Sequence, residues 1–287
     1  MELLIENALV SLIEELEQDR SLEELRNLRQ RFEAIDDLDA YLADGRSVRP
    51  ALYHRAKNIH HKLELVNFRL YEGIRRDIQQ GIGAGKLWEW MPDWNDAASL
   101  ANRRGYDYLD ELIGGVLDFE EPSAAVVQLE SEMVPYQPTP ARHIFDFIRR
   151  AELTGRDSLI DLGSGLGQVT LMAAICTNAN CTGIEREPAY VDCAGKSARS
   201  LNLREVTFIQ GDVRAADFST GTMFYLYTPF TGGILRDVLN SLRQQAARRE
   251  IRICTFGPCT PIVAEESWLS VSGALENDRV AIFRSRD

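Results

Sequence analysis

Three glycines at alternate positions follow an apolar segment that ends in an aspartate. They lie in residues 158–172, SLIDLGSGLGQVTLM, where Asp161 precedes Gly163, Gly165 and Gly167. Glycine lacks a Cβ atom, so the chain can turn tightly there and its backbone can approach a ligand closely. The N–H groups of the following helical turn then face that ligand. The pattern predicts a nucleotide-like cofactor at a turn between a strand and a helix.

The spacing of the glycines separates two kinds of cofactor. A dinucleotide turn has the pattern G-x-G-x-x-G/A, whereas Gln168 stands here where that pattern needs a small residue. The carboxylate of Asp161 suits a cationic amino group, such as that of a methionyl moiety, and repels a pyrophosphate. A glycine-rich turn that binds no ligand is the remaining alternative.

Two further strand-like segments end in acidic residues. Residues 181–184 lead into Glu185, and residues 206–210 lead through Gly211 to Asp212. In Rossmann-like folds the acidic residue after the second strand binds the ribose hydroxyls, and ligands lie across the carboxyl ends of the strands. A carboxylate after the third strand can accept a hydrogen bond from an exocyclic amine such as that of adenine. Solvated loop charges are the alternative for each residue alone.

These segments resemble the motifs of class I S-adenosylmethionine-dependent methyltransferases. The resemblance covers the chain from about Tyr136 to the C-terminus, and DLGSGLGQVT is also similar to a segment of Dot1-type histone-lysine methyltransferases. It implies an α/β fold, with a seven-stranded Rossmann-like sheet between helices, and S-adenosylmethionine as cofactor. The implied cofactor-binding residues are Asp161, Gly163, Ser164, Gly165, Gly167, Gln168, Glu185, Arg186, Asp212 and Val213.

The resemblance also implies roles for these residues. The three glycines would pass beneath the methionyl part, Glu185 would take the ribose hydroxyls, and Asp212 with the Val213 backbone would take the adenine. Arg186 stands where the family often has an apolar side chain covering the adenine, and an arginine could stack there instead.

The fourth strand should carry the acceptor side of the site. Methyltransferases acting on amino groups of DNA or glutamine have an Asn/Asp-Pro-Pro-aromatic motif there, whereas this chain has Thr228 followed by a single proline. This departure weakens an assignment to amino-group methylation. Aromatic faces favour a nearby cation, including the sulfonium, and packing under the next helix is the alternative. The predicted substrate pocket consists of Tyr136, Thr139, Tyr227, Thr228, Pro229 and Phe230, with residues 136–138 as a lid.

Alternating helices and strands are expected around these residues, which predicts a parallel sheet with helices on both faces. Thr139 and Pro140 predict a helix start, with threonine as the cap and proline at the first helical position. Further helices are expected over residues 142–152, 187–202 and 233–244, strands over 223–227 and 251–256, and a closing hairpin over 268–272 and 279–284.

The N-terminal part has apolar stripes at helical spacing, such as Leu9, Leu12, Ile13 and Leu16. Ser21 and Glu24 predict a capping box for a second helix, a long helix is expected from Pro50 to a Gly81 cap, and a shorter one over 100–117. We expect a helical domain over 1–118, a linker or lid over 119–138 and the cofactor domain over 139–287. The stripes form a core or, alternatively, a partner or homodimer surface.

A phosphate-binding loop is rejected for residues 81–86, GIGAGK. Gln80 replaces the first glycine that such a loop needs, Leu87 replaces its Ser or Thr, and no strand precedes it. A helix end followed by a hinge is expected instead.

Composition limits the class of protein. The 287 residues are 45% hydrophobic and 26% charged, as in an ordinary globular protein. Apolar runs of about 20 residues are missing, so no membrane association is expected. The five cysteines and four histidines lack metal-ligand spacing, and the odd cysteine count with an N-terminus unlike a signal peptide predicts a cytoplasmic protein. The net charge of −12 disfavours nucleic acid, although residues 46–76 are locally basic, as a solvated helix face would be.

The sequence therefore predicts a methyltransferase that acts by in-line displacement on an unidentified acceptor. A protein side-chain amine is one candidate, and a protein or small molecule is favoured over nucleic acid. The sequence identifies no general base. The alternatives are a non-catalytic S-adenosylmethionine-binding module that mediates protein contacts and a nicotinamide-dependent oxidoreductase, which the glycine spacing disfavours.

Overall fold

The computed structural model describes residues 2–43, 49–91, 105–119, 130–271, 273, 275–276 and 278–286. The chain divides into two compact units, Met1–Ile74 with Asp107–Val116, and Arg75–Tyr106 with Leu117–Asp287. This division places residues 75–106 with the C-terminal unit, whereas the predicted helical domain extends to residue 118. Residues 120–129 of the predicted linker lie outside the described residues.

The first unit is helical. It contains α1 (Glu2–Gln18), a 3-10 turn (Arg20–Glu23), α2 (Leu28–Leu42) and most of α3 (Pro50–Gln79). A short helix, α4 (Gly83–Trp88), belongs to the second unit, and α5 (Tyr108–Leu117) returns to the first. None of the helices in the described part of the chain has the length and apolar character needed to cross a membrane.

The apolar stripes of the first unit are buried in its own core. This core contains Leu9, Ile13, Leu22, Leu38, Ile59 and Leu63. The predicted capping box is wrong, because Ser21 lies inside the 3-10 turn and its N–H donates to Asp19 Oδ1 at 2.9 Å. The aspartate two residues earlier therefore caps this turn, and the second helix begins only at Leu28.

The end of α3 follows the prediction, and the segment after it does not. Gly81 has φ +79°, and its N–H donates to the Ile78 carbonyl at 2.9 Å, as at a glycine-capped helix end. Residues 83–88 then form α4 in place of the predicted hinge. The described part of the predicted helix over 100–117 is helical only from Tyr108.

The second unit is built on a seven-stranded sheet. Its strands are β1 (Ser158–Leu162), β2 (Asn180–Glu185), β3 (Val206–Gln210), β4 (Met223–Leu226), β5 (Arg252–Thr255), β6 (Leu269–Val271) and β7 (Ala281–Ser285). The strand order is β3-β2-β1-β4-β5-β7-β6, and β7 runs antiparallel to β5 and β6. The predicted seven-stranded Rossmann-like sheet with a closing hairpin is confirmed.

Five helices accompany this sheet. α6 (Ala141–Ala151) precedes β1, and α7 (Gln168–Cys176), α8 (Pro188–Ser200) and α9 (Gly232–Ala246) connect neighbouring parallel strands, whereas α10 (Cys259–Ala264) leads from β5 to β6. The strand order reverses direction after β1, so right-handed crossovers place α7 and α8 on one face and α9 on the other. The predicted start of α6 is displaced by one residue, because Pro140 is its N-cap and Thr139 lies outside the helix. α8 begins at Pro188 as predicted.

Successive side chains of a strand point to opposite faces of the sheet, which separates Asp161 from the apolar core residues on either side of it in β1. Alternate residues of the strands pack with α9 in one core, including Ile160, Leu162, Phe224, Leu226, Ile234 and Val238. Asp161 lies between these core positions in β1, opposite Gly183 of β2 and Tyr225 of β4. The register therefore fixes Asp161 in the middle of the sheet, where the strand order reverses.

A buried arginine ties the first unit together. Arg31 of α2 has no exposed surface, and its Nε donates to Asn67 Oδ1 at 2.6 Å. Its terminal nitrogens donate to three backbone carbonyls, those of Leu22 at 3.2 Å, Glu24 at 2.5 Å and Leu25 at 2.9 Å. One guanidinium therefore satisfies the carbonyls at the end of the 3-10 turn.

We predict that Arg31→Met lowers the free energy of unfolding by about 3 kcal/mol, because it removes the donor from the buried Asn67 Oδ1 and Leu22 carbonyl and from two partly buried carbonyls. Urea unfolding followed by circular dichroism measures this change. Arg29→Met on the same helix is the matched control, since Arg29 is 59% exposed and pairs only with Glu33 in the described structure. Its loss should cost less than about 0.5 kcal/mol. Equal effects of the two substitutions would contradict the role of Arg31.

Candidate functional site

A cavity of about 550 Å³ opens at the carboxyl ends of β1 to β4. This volume is typical of a site for a ligand of cofactor size. The lining includes fourteen of the sixteen predicted site residues, which are Tyr136, Thr139, Asp161, Gly163, Ser164, Gln168, Glu185, Arg186, Asp212, Val213, Tyr227, Thr228, Pro229 and Phe230. Gly165 and Gly167 do not line it.

The glycine turn is covered by side chains from distant parts of the chain. Gly163 has φ +79°, and an added Cβ would lie 2.4 Å from Pro229 Cβ. Gly165 has φ +53°, and its Cβ would lie 2.1 Å from the Tyr136 ring. Tyr136 therefore occupies the space above Gly165, which explains why this glycine does not line the cavity.

Gly167 has a packing role. It has φ +81°, and an added Cβ would lie 2.5 Å from the Phe208 ring of β3 and 3.1 Å from Ala194 of α8. The third glycine thus lets the start of α7 approach β3 and α8 closely. Its predicted position beneath the methionyl part stays a prediction.

Asp161 is a buried carboxylate at the base of the cavity. It is 3% exposed, and Thr170 Oγ1 of α7 donates to its Oδ2 at 2.9 Å. Burial raises the pKa of Asp161 to about 7, opposed by the Thr170 hydrogen bond and reinforced by the charge of Glu185. A cation placed beside this carboxylate would favour its ionised form.

Glu185 joins the end of β2 to the glycine turn. The Gly165 N–H donates to its Oε2 at 2.8 Å, and the Glu187 N–H donates to its Oε1 at 2.8 Å. Each carboxylate oxygen has two lone pairs, so acceptor capacity remains for ligand hydroxyls. Glu185 also lines the cavity.

Two buried polar atoms of the cavity lining lack hydrogen-bond partners among the described residues. They are Ser164 Oγ in the glycine turn and Gln168 Oε1 at the start of α7. Buried polar atoms in folded proteins almost always have a partner. The cavity between them is where a polar ligand would supply it, so the residues present fit a cofactor with several polar groups.

Two residues predicted to bind the adenine, Asp212 and Arg186, form ion pairs with other residues of the protein. Arg214 Nε lies 3.0 Å from both carboxylate oxygens of Asp212, and this hydrogen-bonded pair lowers the pKa of Asp212. Arg186 lies 2.6 Å from Glu130 Oε1, which is also 3.5 Å from Arg214. Arg186 is thus ion-paired in this structure, and Asp212 must share its oxygens with Arg214 to accept from an adenine amine.

Residues 130–139, which we call the strap, roof the cavity. The Val134 N–H donates to the Pro229 carbonyl at 3.1 Å, and the Thr231 N–H donates to the Glu132 carbonyl at 2.8 Å. The Glu132 carboxylate accepts from the Ile234 N–H at 3.0 Å, and hydrogen bonds from the start of α9 lower the pKa of Glu132. The strap is therefore fixed to the loop between β4 and α9.

The loop after β4 is held in a strained conformation. Thr228 has φ +39°, which is unusual for a β-branched residue. Its Oγ1 donates to the Phe256 carbonyl at 3.0 Å and accepts from the Cys259 N–H at 3.1 Å. The hydroxyl of Thr228 is thus used to join two loops. Phe230 is 3% exposed and packs in the core while contributing to the cavity wall.

Several lining residues were missed by the sequence analysis. Tyr225 lies beside Asp161 in the register, with its hydroxyl 3.3 Å from Thr139 Oγ1. Tyr190 packs against Tyr136 with ring centroids 5.1 Å apart. An aromatic residue near the end of β4 and another in the first turn of α8 were the available signals. All five cysteine thiols are free, and no trio of His, Cys, Asp or Glu in the described residues could hold a metal ion.

Residues 153–244 match the family model described as a methyltransferase domain. Together with the sheet topology, this match shows a Rossmann-like methyltransferase fold over the matched residues. An uncharacterized RNA methyltransferase of Nitratidesulfovibrio vulgaris is 31% identical over 113 residues, covering 37% of this chain and 24% of that protein. The chain thus spans about a quarter of the length of the curated relative that it matches.

Similar solved structures also come from methyltransferases. An RNA methyltransferase from Salinibacter ruber, in complex with S-adenosyl-L-homocysteine, has 25% identity and a TM-score of 0.43, covering 52% of this chain and 92% of its own. A precorrin-6y C5,15-methyltransferase from Geobacter metallireducens has 16% identity and a TM-score of 0.42, covering 54% of this chain and 92% of its own.

We predict that Asp161→Asn stabilises the ligand-free protein at pH 8. Folding raises the pKa of this carboxyl from 3.8 to about 7, so the native state binds the extra proton between these values. The stability of the natural protein therefore falls as pH rises through this window, by up to about 4 kcal/mol at 1.4 kcal/mol per pKa unit. Denaturant unfolding at pH 5 and pH 8 should show a gain that is clearly larger at pH 8, because pH 5 lies inside this window and only part of the loss has occurred there.

Asp157→Asn is the matched control, at the opposite end of β1. Burial alone would raise the pKa of Asp157, but hydrogen bonds from Thr154 and the charge of Arg252 outweigh it and lower the pKa. Asp157→Asn should therefore destabilise the protein at pH 8, by about 2 kcal/mol. A gain from Asp161→Asn that is equal at both pH values would contradict this account.

Proposed function

We propose that this chain is an S-adenosylmethionine-dependent methyltransferase. The observation that carries the proposal is the cavity over the glycine turn, with buried Asp161 at its base and the unpartnered Ser164 and Gln168 oxygens in its wall. The methyltransferase-domain match over residues 153–244 supports it. In this proposal residues 139–287 form the cofactor domain, residues 1–118 the helical domain and residues 119–138 a linker whose described end is the lid.

The proposed cofactor contacts follow the strand order. Asp161 under the turn binds the cationic amino group, and Glu185 at the end of β2 accepts hydrogen bonds from the ribose hydroxyls. Asp212 and the Val213 backbone after β3 bind the adenine, with Asp212 shared between the base and Arg214. Bound S-adenosylmethionine supplies a methyl group already activated by the positively charged sulfur.

The protein's own contribution is positioning and exclusion of water. With the adenosine over β2 and β3, the methyl end points toward β4, where Tyr227 and Thr228 line the cavity. The strap covers this region, and Tyr136 packs over Gly165. Holding two reactants in line in a dry site can account for several kcal/mol of the barrier. The residues of the strap and of the β4 loop therefore act by orienting the acceptor.

The acceptor is a separate question. The curated relative and one similar structure are named RNA methyltransferases, whereas the net charge of −12 disfavours polyanions. A protein side-chain amine, which the Dot1-type likeness of the glycine turn suggested, stays a prediction. Thr228 does not support it, because its hydroxyl is engaged with Phe256 and Cys259 and is 7% exposed.

A non-catalytic cofactor-binding module is the second candidate. The observation in its favour comes from the loop after β4. Thr228 stands there where amine methyltransferases have an amide or carboxylate, and its hydroxyl is engaged in structural hydrogen bonds. Cofactor binding without methyl transfer to any RNA, protein or small-molecule fraction would favour it. A nicotinamide oxidoreductase is disfavoured by Asp161, which would face the pyrophosphate.

We predict that Asp161→Ala and Glu185→Ala each weaken binding of S-adenosylmethionine by about 1–3 kcal/mol, because each removes charge-assisted contacts. Isothermal titration calorimetry measures the affinity. Glu205→Ala is the matched control, since this exposed carboxylate lies before β3, at the opposite edge of the sheet. Binding of NAD but not of S-adenosylmethionine would refute the proposed function, whereas unchanged affinity in both site variants would remove these two residues from the site.

A further inference from the structure

The acceptor end of the cavity is formed by uncharged residues. The side chains that line it around the end of β4 and under the strap are Tyr136, Gln137, Pro138, Thr139, Tyr225, Tyr227, Thr228 and Pro258. The four carboxylates that line the cavity belong to its cofactor end, where they are Asp161, Glu185, Glu187 and Asp212. An acceptor at this end therefore meets aromatic rings, hydroxyls and an amide.

These carboxylates are held by other partners. Asp161 accepts from Thr170, and Asp212 is paired with Arg214. Glu185 accepts from two backbone N–H groups. An alkyl ammonium acceptor, with an ordinary pKa near 10.4, must lose a proton before its nitrogen can attack. A neutral ring nitrogen has its lone pair available at pH 7, so no proton has to be removed before it attacks.

The Tyr227 ring packs on Phe256, which packs in turn on His143. Its ring centroid lies 4.9 Å from that of Phe256 at an interplanar angle of 36°, and Phe256 lies 4.2 Å from the His143 ring at 34°. Tyr227 lines the cavity, whereas Phe256 does not. The Tyr227 ring therefore lies between Phe256 and the cavity.

The loop after β5 holds this ring in place. Gly257 has φ +80°, and an added Cβ would lie 3.2 Å from Tyr227 Cε2 and 3.0 Å from Thr228 Oγ1. Any larger residue at Gly257 would press on both side chains. Tyr227 is thus a fixed, half-buried aromatic wall beside the position proposed for the transferred methyl group.

We propose that the acceptor is a planar, neutral heteroaromatic ring that stacks on Tyr227 and is methylated on a ring nitrogen. The inference rests on the proposed methyltransferase function. Base stacking on aromatic side chains is a common source of binding energy and tolerates different rings. Gln137, Thr139 and Tyr225 supply the polar groups at this end that can contact the edge of such a ring.

The transfer step is balanced without a further reactant. The ring-nitrogen lone pair forms a bond to the methyl carbon while the carbon–sulfur bond breaks, leaving its electron pair on sulfur. The positive charge passes from sulfur to the ring. The methylated ring keeps that charge or releases a proton from a ring or exocyclic N–H to water.

The ring could belong to a polynucleotide or to a free metabolite, and labelled transfer distinguishes the two. The full chain is incubated with methyl-tritiated S-adenosylmethionine and, separately, with total cellular RNA, deproteinised metabolites and total protein. Label on a base of the digested RNA, or on a heteroaromatic metabolite, is the expected result. Label in the protein fraction, or on ribose, would overturn the inference and leave the proposed function intact.

Two substitutions test the stacking surface directly. Tyr227→Leu should raise KM for the labelled acceptor about tenfold or more with unchanged calorimetric affinity for S-adenosylhomocysteine, whereas Tyr227→Phe should change KM less than about threefold. The unchanged affinity also shows that each variant is folded. Equal losses in both variants would assign the effect to the hydroxyl and overturn the stacking role.

A binding measurement separates this inference from the proposed activity. Saturation-transfer NMR on protein loaded with S-adenosylhomocysteine uses guanosine, cytidine and uridine as ring probes and N-acetyl-lysine amide as the amine probe. Contact with at least one nucleoside that Tyr227→Leu removes is expected. Contact with the lysine probe alone, or label in no fraction while the cofactor binds, would overturn the inference. Failure of the cofactor itself to bind would instead refute the proposed function.

Discussion

The turn after β1 leaves no room for side chains, and much of the second unit is arranged around it. At Gly163, Gly165 and Gly167 the chain has positive φ, and the space of a Cβ is filled by Pro229, Tyr136 and Phe208. These three residues come from the β4 loop, the strap and β3. The turn therefore fixes residues of the strap and of the β4 loop as well as its own backbone, and a substitution at each glycine would press on the residue that covers it.

The acidic residues at the ends of β1, β2 and β3 lie in different electrostatic surroundings. Asp161 is buried with a raised pKa, Asp212 is paired with Arg214 and has a lowered pKa, and Glu185 is bonded to backbone N–H groups. A ligand with a cationic amino group would stabilise the ionised form of Asp161, whereas Glu185 can accept further hydrogen bonds through its remaining lone pairs. In the ligand-free protein the buried Asp161 carboxyl costs stability progressively as pH rises from 3.8 to about 7, as is common where a binding site keeps an unfavourable charge.

Local patterns predicted the second unit well, because strand alternation and glycine spacing are properties of neighbouring residues. The strands, the helix after the turn and the closing hairpin followed from them. Contacts between distant residues were not predictable, including Tyr136 over Gly165, Tyr225 beside Asp161 and the pairing of Arg186 with Glu130. The capping box at Ser21 failed for a local reason, since Asp19 competes for the same N–H.

The most direct test of the central claim is a crystal structure of the protein with S-adenosylhomocysteine. The account predicts the ligand in the cavity over the glycine turn, with its amino group in hydrogen-bonding distance of Asp161 and its ribose hydroxyls on Glu185. Its sulfur should face Tyr227. A ligand bound elsewhere, or one whose sugar leaves Glu185 with its two backbone N–H donors as its only partners, would contradict the account.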